Sequence, residues 1–179
     1  MERPKFFVGI DIASATFTAA VGVEPWRLIV KPEEFINELD SFPKFMDWLL
    51  KNKLPREQTI LCMEATGVYG EALAYFLNTQ GYHLAIETPL KVKRAFKPFG
   101  LKSDPVDSQQ IAEYACRHWD ELHLWTPNQQ VLEQIKTLLN TREQFVTQST
   151  AHQNALKSLQ RKAVRTPLAE QIHHEALKQ

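Results

Sequence analysis

The sequence predicts an α/β protein: a mixed sheet flanked by helices and followed by one long helix. Three observations carry that prediction. Two β-prone runs, residues 5–11 and 15–23, are separated by only three residues, as in a hairpin. From residue 59 onward, apolar strand-like runs alternate with helical patterns, as in βα units. Residues 128–166 contain no Gly or Pro at all.

The elements follow in order. KFFVGID (5–11) is an apolar run ending in an acid, and ATFTAAVGV (15–23) is small and β-prone. Together they predict an antiparallel hairpin turning near Ala13 and Ser14. A third strand is expected within 26–37, where WRLIV and EFI compete on either side of Pro32. Phe42, Phe45, Met46, Leu49 and Leu50 recur at helical spacing. TILCME (59–64) is an apolar strand, again ending in an acid, and a helix over 71–78 stopped by Gly81 follows. YHLAIE (82–87) is the next strand, 90–97 a short basic helix or loop, and 105–118 a helix. The order β-β-β-α-β-α-β-α-α is that of the ribonuclease H-like fold, and also of the actin-like ATPase half-domain. Thr126, Pro127 and Gln129 read as a capping box with proline at the start of the long helix. A helix of about 38 residues would span roughly 57 Å. With Val131, Ile135, Leu138, Phe145, Leu156 and Leu159 near one stripe, broken by Arg142, Ser149 and His152, it predicts pairing with another copy as a coiled coil. The expected segments are therefore 1–125, 126–166 and a marginal tail, 167–179.

Composition narrows the class. The 179 residues are 44% hydrophobic and 23% charged, as in a globular protein, and 21 basic residues balance 21 acidic ones. No global field announces nucleic acid, so charge has to be read by segment. Cys62 and Cys116 have no metal-ligand spacing and read as reduced core thiols. The apolar run 6–23 is interrupted by Asp11, lacks a basic flank and is short for a membrane span. The expectation is a cytoplasmic protein without repeats or low-complexity segments.

Four acids stand out. Asp104 and Asp107 flank Pro105 at the head of a helix, where Asp104 suits the N-cap and both suit the positive helix end. At i and i+3 they can equally converge on one ion. Asp11 ends an apolar strand, where a turn is the ordinary explanation. Glu64 ends a run typical of a buried strand, and glutamate is a poor residue for strands and turns alike. If the strands of Asp11 and Glu64 are parallel neighbours, both acids lie at carboxyl ends, where open α/β sheets place their sites. Four converging carboxylates without a matching base call for divalent cations, and hard oxygen ligands suit Mg²⁺ or Mn²⁺. Two ions about 4 Å apart would stabilise both oxygens of an in-line phosphoryl displacement. Directly upstream, residues 90–102 carry Lys91, Lys93, Arg94, Lys97 and Lys102 with no acid, and Phe96 and Phe99 are interleaved. Such a run neutralises phosphates and stacks on bases, or is simply a solvated basic face. The long helix adds Lys136, Arg142, Lys157, Arg161, Lys162 and Arg165 against Glu133 and Glu143.

The combination VGIDIA (8–13), CMEATGVY (62–69) and LKSDPVDSQQIA (101–112) resembles the DEDD transposases of insertion sequences, relatives of the Piv DNA invertase. Their N-terminal domain is similar to the RuvC Holliday-junction resolvase. The resemblance covers roughly residues 5–165 and is most specific in its last motif. It implies that Asp11, Glu64, Asp104 and Asp107 are a catalytic, metal-binding tetrad. It implies that the helix after Thr126 is an assembly element, giving a dimer or tetramer. It also implies DNA and a structured guide RNA as partners. Family members continue into a domain with a nucleophilic serine, and no serine here lies in a matching motif. The expectation is thus a metal- and nucleic-acid-binding part of a recombinase, not competent for recombination alone. Three other readings compete. A stand-alone metal-dependent resolvase needs only the four acids. An actin-like ATPase needs glycines close after Asp11, where Ala13 and Ala15 stand. In a non-catalytic dimerisation module the acids only cap helices.

Overall fold

The structure, a computed structural model, describes residues 3–65, 67–96 and 107–178, with the side chain of Gln130 left aside. Five strands form one sheet: β1 (Phe6–Ile12), β2 (Thr16–Val23), β3 (Arg27–Ile36), β4 (Thr59–Glu64) and β5 (His83–Glu87). Their order is β3-β2-β1-β4-β5. The hairpin strands pair antiparallel, whereas β4 lies parallel to β1 and β5 parallel to β4. This is the ribonuclease H-like, RuvC-like arrangement, a mixed sheet with helices on both faces.

The pleat sorts the side chains. Val8, Ile10 and Ile12 of β1, with Leu61, Met63 and Leu84, face one apolar layer with α1 (Phe42–Lys51) and α2 (Glu71–Thr79). Phe7, Ile60, Cys62 and Ala85 face the other layer, with Val92 of α3 (Pro89–Ala95) and Ile111, Tyr114 and Ala115 of α4 (Ser108–Arg117). Both cysteines are free and buried, Cys62 completely.

Pro32 does not divide the third strand. β3 is the edge of the sheet, and its register shifts where Val21 pairs Val30 but Ala19 pairs Glu33. That irregularity absorbs Lys31 and Pro32, and an edge strand has no outer partner to need the missing N–H. α4 also starts later than the sequence suggests. Its N-cap is Asp107, in extended conformation, with the carboxylate accepting from the Gln110 amide at 2.9 Å. The expected cap, Asp104, lies outside the described residues, as do Lys97, Phe99 and Lys102.

Residues 1–127 and 128–179 form two compact units. In the second, α5 runs from Gln130 to Gln160, about 46 Å, rather than from 126 to 166. The Thr126 capping box is not used: the cap position is Gln129, without a side-chain bond. Upstream, Leu124 bridges to Ala85 and the Trp125 amide donates to the Leu84 carbonyl, so the chain is still attached to β5 there. At the far end, Pro167 does more than stop a helix. It opens α6 (Pro167–Ala176), with Pro in the first turn and Arg165 paired with Glu170. The segment expected as a marginal tail thus folds back on α5. It covers the end of the stripe: Leu156 is buried, and His152 meets His173 with their Nδ1 atoms 2.8 Å apart. Val131, Ile135, Leu138 and Phe145, with Leu132, Leu139 and Val146 beside them, stay exposed.

Candidate acidic centre at the strand ends

The parallel register aligns the acids. Gly9 pairs with Cys62 and Ile10 with Met63. One residue further, Asp11 falls beside Glu64, and Glu64 is paired with Glu87 of β5. All three lie at carboxyl ends and on one face, that of α3 and α4, because Phe7 and Ala85 in phase with them pack there. Neighbouring strands are about 4.8 Å apart, which sets the spacing of the row. Glu64 and Glu87 are buried, and Asp11 is half-buried.

Gly9 brings the fourth acid to this row. A Cβ there would sit 2.1 Å from the Ser108 carbonyl oxygen and 2.2 Å from the Ala112 amide nitrogen. The first turn of α4 therefore rests directly on β1, and Asp107, its cap, is carried to Asp11. The electrostatics agree. Burial raises the Asp11 carboxyl above the ordinary carboxylate range, and the charge of Asp107 raises it further. Burial likewise raises Glu64, Lys93 opposes this, and Asp11 adds to it. Each acid thus feels the next. The Asp107 capping bond uses one oxygen, Oδ1, so the cap does not consume the carboxylate.

Among the described residues no three His, Cys, Asp or Glu side chains close into a group that would enclose an ion. Asp104 is outside the described residues. The donor set nevertheless fits a hard divalent cation. It consists of carboxylates only, and two of them are held above their ordinary range by burial and mutual repulsion, which a cation relieves. One buried hydroxyl, Ser108 Oγ in the first turn of α4, has no hydrogen-bond partner among the described residues.

The basic run divides. Lys91 Nζ donates to Glu87 Oε1 at 3.0 Å. Lys93 and Arg94 have no ion-pair partner among the described residues, and Lys93 is the cation whose field reaches Glu64. Phe96 is half-buried, with one part of its ring packed against the apolar layer under α3. Glu87 is the site residue the sequence reading overlooked. Its signal was the one that marked Glu64, an acid closing an apolar strand.

A family model described as transposase, of the DEDD type and IS110 group, matches residues 8–163. The pilin gene-inverting protein of Moraxella bovis is 28% identical over 142 residues, 78% of this chain and 42% of that protein. The pilin gene-inverting protein of Moraxella lacunata matches with the same identity and coverage. The chain thus spans less than half the length of these relatives. Among solved structures, Thermus thermophilus RuvC in complex with a Holliday junction substrate is similar at TM-score 0.49 and 15% identity, over 68% of this chain and 99% of that one. A second Thermus thermophilus RuvC structure gives 0.46 and 13%, over 67% and 99%. The fold assignment rests on strand order and register, independently of these two likenesses. No helix among the described residues is long and apolar enough to cross a membrane.

Proposed function

From the premise that this chain belongs to the DEDD transposase family, we propose that it is the metal-binding, nucleic-acid-processing part of a DNA transposase or recombinase. The observation that carries the reading is the alignment of Asp11 with Glu64 at parallel strand ends, with α4 seated on Gly9 and the charge of its cap, Asp107, acting on Asp11. Asp11, Glu64 and Asp107, with Asp104 from outside the described residues, would hold Mg²⁺ or Mn²⁺. Divalent ions held there would supply charge neutralisation at the phosphoryl group and activation of the attacking oxygen. The chain's own residues do the rest. The sheet fixes two carboxylates rigidly, and the α4 cap positions the third. Lys93, whose charge reaches Glu64, and Arg94 next to it on α3 would meet the phosphates of DNA or of a guide RNA. The exposed stripe of α5 would join copies of the chain into a dimer or larger assembly.

Mn²⁺ titration by calorimetry tests the centre, with Asp11→Asn, Glu64→Gln and Asp107→Asn as variants, repeated with DNA and RNA present. Loss of binding in each joins distant residues into one site. Binding indifferent to all three, or absent with nucleic acid present, would refute the metal centre and leave the acids as caps and turns. Cleavage of branched DNA by this chain alone would favour a stand-alone nuclease.

A further inference from the structure

Glu87 poses a problem that the proposed centre does not solve. It is the third acid in the row, paired in register with Glu64 and one strand spacing from it. It is only 6% exposed, so its charge cannot be left to solvent. A free carboxylate here would crowd a row already under repulsion and would offer the cation one ligand too many.

The chain answers with Lys91. Glu87 ends β5, α3 begins two residues later, and one helical turn returns the Lys91 ammonium to the Glu87 carboxylate. The same ammonium interacts with the hydroxyl of Tyr114, which is buried in the middle of α4. α4 is the helix that carries Asp107. A backbone bond adds to the link: the Ala65 amide, just past Glu64, donates to the Glu87 carbonyl at 2.8 Å. Glu87 thus touches the exit of the Glu64 strand through its backbone and is held by Lys91 to α3, which packs on the Asp107 helix through Val92 and Tyr114.

We propose that Glu87 and Lys91 are positioning residues of the acidic centre: Lys91 neutralises the third acid of the row and holds it to α3, which packs on the helix that delivers Asp107. The proposal rests on the metal-centre reading above. It makes Lys91 an internal counter-charge, unlike its neighbours Lys93 and Arg94, and not a contact for nucleic acid.

The signature is a pair of opposite signs. Lys91→Met removes a cation and frees a carboxylate beside Glu64, so divalent cations bind more tightly. Glu87→Gln keeps the shape and the acceptor for Lys91 but leaves the cation uncompensated, so they bind more weakly. One unit charge about 8 Å from a divalent ion, at an effective dielectric of about 20 to 80, gives roughly fivefold to a thousandfold in each direction. The double variant, with both charges gone, returns close to the wild-type affinity. The experiment is Mn²⁺ titration of the 179-residue chain and the three variants, with melting temperature and DNA affinity measured alongside. A merely structural role would lower the melting temperature of every variant without opposite signs in affinity. If Lys91→Met does not fold, Lys91→Gln, which removes the same charge from a polar side chain, takes its place, and tighter binding is again the expected sign. Equal affinities in wild type and Glu87→Gln, or the same sign in both single variants, would overturn the inference while leaving the metal centre intact. A wild-type chain that binds no Mn²⁺ would remove the centre itself and this inference with it.

Discussion

Gly9→Ala is the substitution that most directly tests how the centre is assembled. The added Cβ would lie 2.1 Å from the Ser108 carbonyl oxygen, 2.2 Å from the Ala112 amide nitrogen and 2.8 Å from the Ala112 Cα. Ordinary contact begins near 3.4 Å, so α4 must rise from the sheet by roughly 1.3 Å. All three atoms are backbone, so no side-chain rotation can relieve the clash. A radial gap of about 0.5–1 Å already forfeits a quarter to a half of each dispersion contact. Ile111, Ala112, Tyr114 and Ala115 of α4 pack in this layer, so the loss is shared by a whole helix face. Overpacking ordinarily costs about 1–3 kcal/mol, and a backbone clash of this depth belongs at or above the upper end. For a unit of this size that is a drop of roughly 10 °C in melting temperature. Because Asp107 rides on the lifted turn, Mn²⁺ affinity should fall as well, under conditions where the variant is still folded. Differential scanning calorimetry and Mn²⁺ titration measure the two effects. A Gly9→Ala chain that melts and binds Mn²⁺ like wild type would refute the close seating of α4 on β1.

Four further predictions follow from particular contacts. Asp107→Asn should keep the helix cap and stability within about 0.5 kcal/mol while abolishing cation binding, whereas Asp107→Ala should lose both and cost about 1 kcal/mol, measured by urea melts and calorimetry. Asp11 and Glu64 titrate above their ordinary range in the folded chain, so their contribution is fully present below about pH 4 and is lost as pH rises through the raised native values. Accordingly, Asp11→Asn and Glu64→Gln should raise the metal-free melting temperature at neutral pH relative to wild type, and added Mg²⁺ should raise that of wild type; a lower melting temperature in both variants would reverse the sign. Lys93→Gln should weaken binding to DNA of any sequence and reduce the slope of log affinity against log salt by about one, read from fluorescence anisotropy at several salt concentrations. Leu138→Glu with Phe145→Glu should convert any self-associated form to monomer in light scattering without lowering the melting temperature of residues 3–125, since both side chains are exposed in the single chain.

How far the sequence could be read depended on the range of the interactions that decide each feature. The strands of the hairpin, β4 and β5 were legible because alternation and apolar runs are local signals. The acids at residues 11 and 64 were legible for the same reason: each is a charged residue closing an apolar run. Their adjacency was not, because it depends on β1 and β4 pairing across nearly fifty residues of chain. The failures have the same physical origin. Pro32 looks like a strand breaker until the sheet order shows that β3 is an edge with a register shift. The Thr126 capping box looks usable until Trp125 is found bonded to Leu84 of β5. The tail after Pro167 looks marginal until α5 gives it an apolar face on which to fold, at Leu156 and beside His152. In each case a tertiary contact overrode a local preference.

Asp107 shows why capping and metal binding are not rival explanations. A helix N-terminus collects amides that lack partners, and a carboxylate satisfies one of them. That bond costs the carboxylate only one oxygen and fixes its direction. Asp107 also stands close enough for its charge to raise the Asp11 carboxyl, an unfavourable neighbourhood in the absence of a cation. Capping alone does not call for a charge beside another acid: asparagine caps as well and carries none. The repulsion between Asp107 and Asp11 therefore bears more weight than the cap in deciding what the motif is for. A fold that keeps Asp107 in the field of Asp11, and Asp11 in that of Glu64, leaves repulsions that the cation proposed for this centre would relieve.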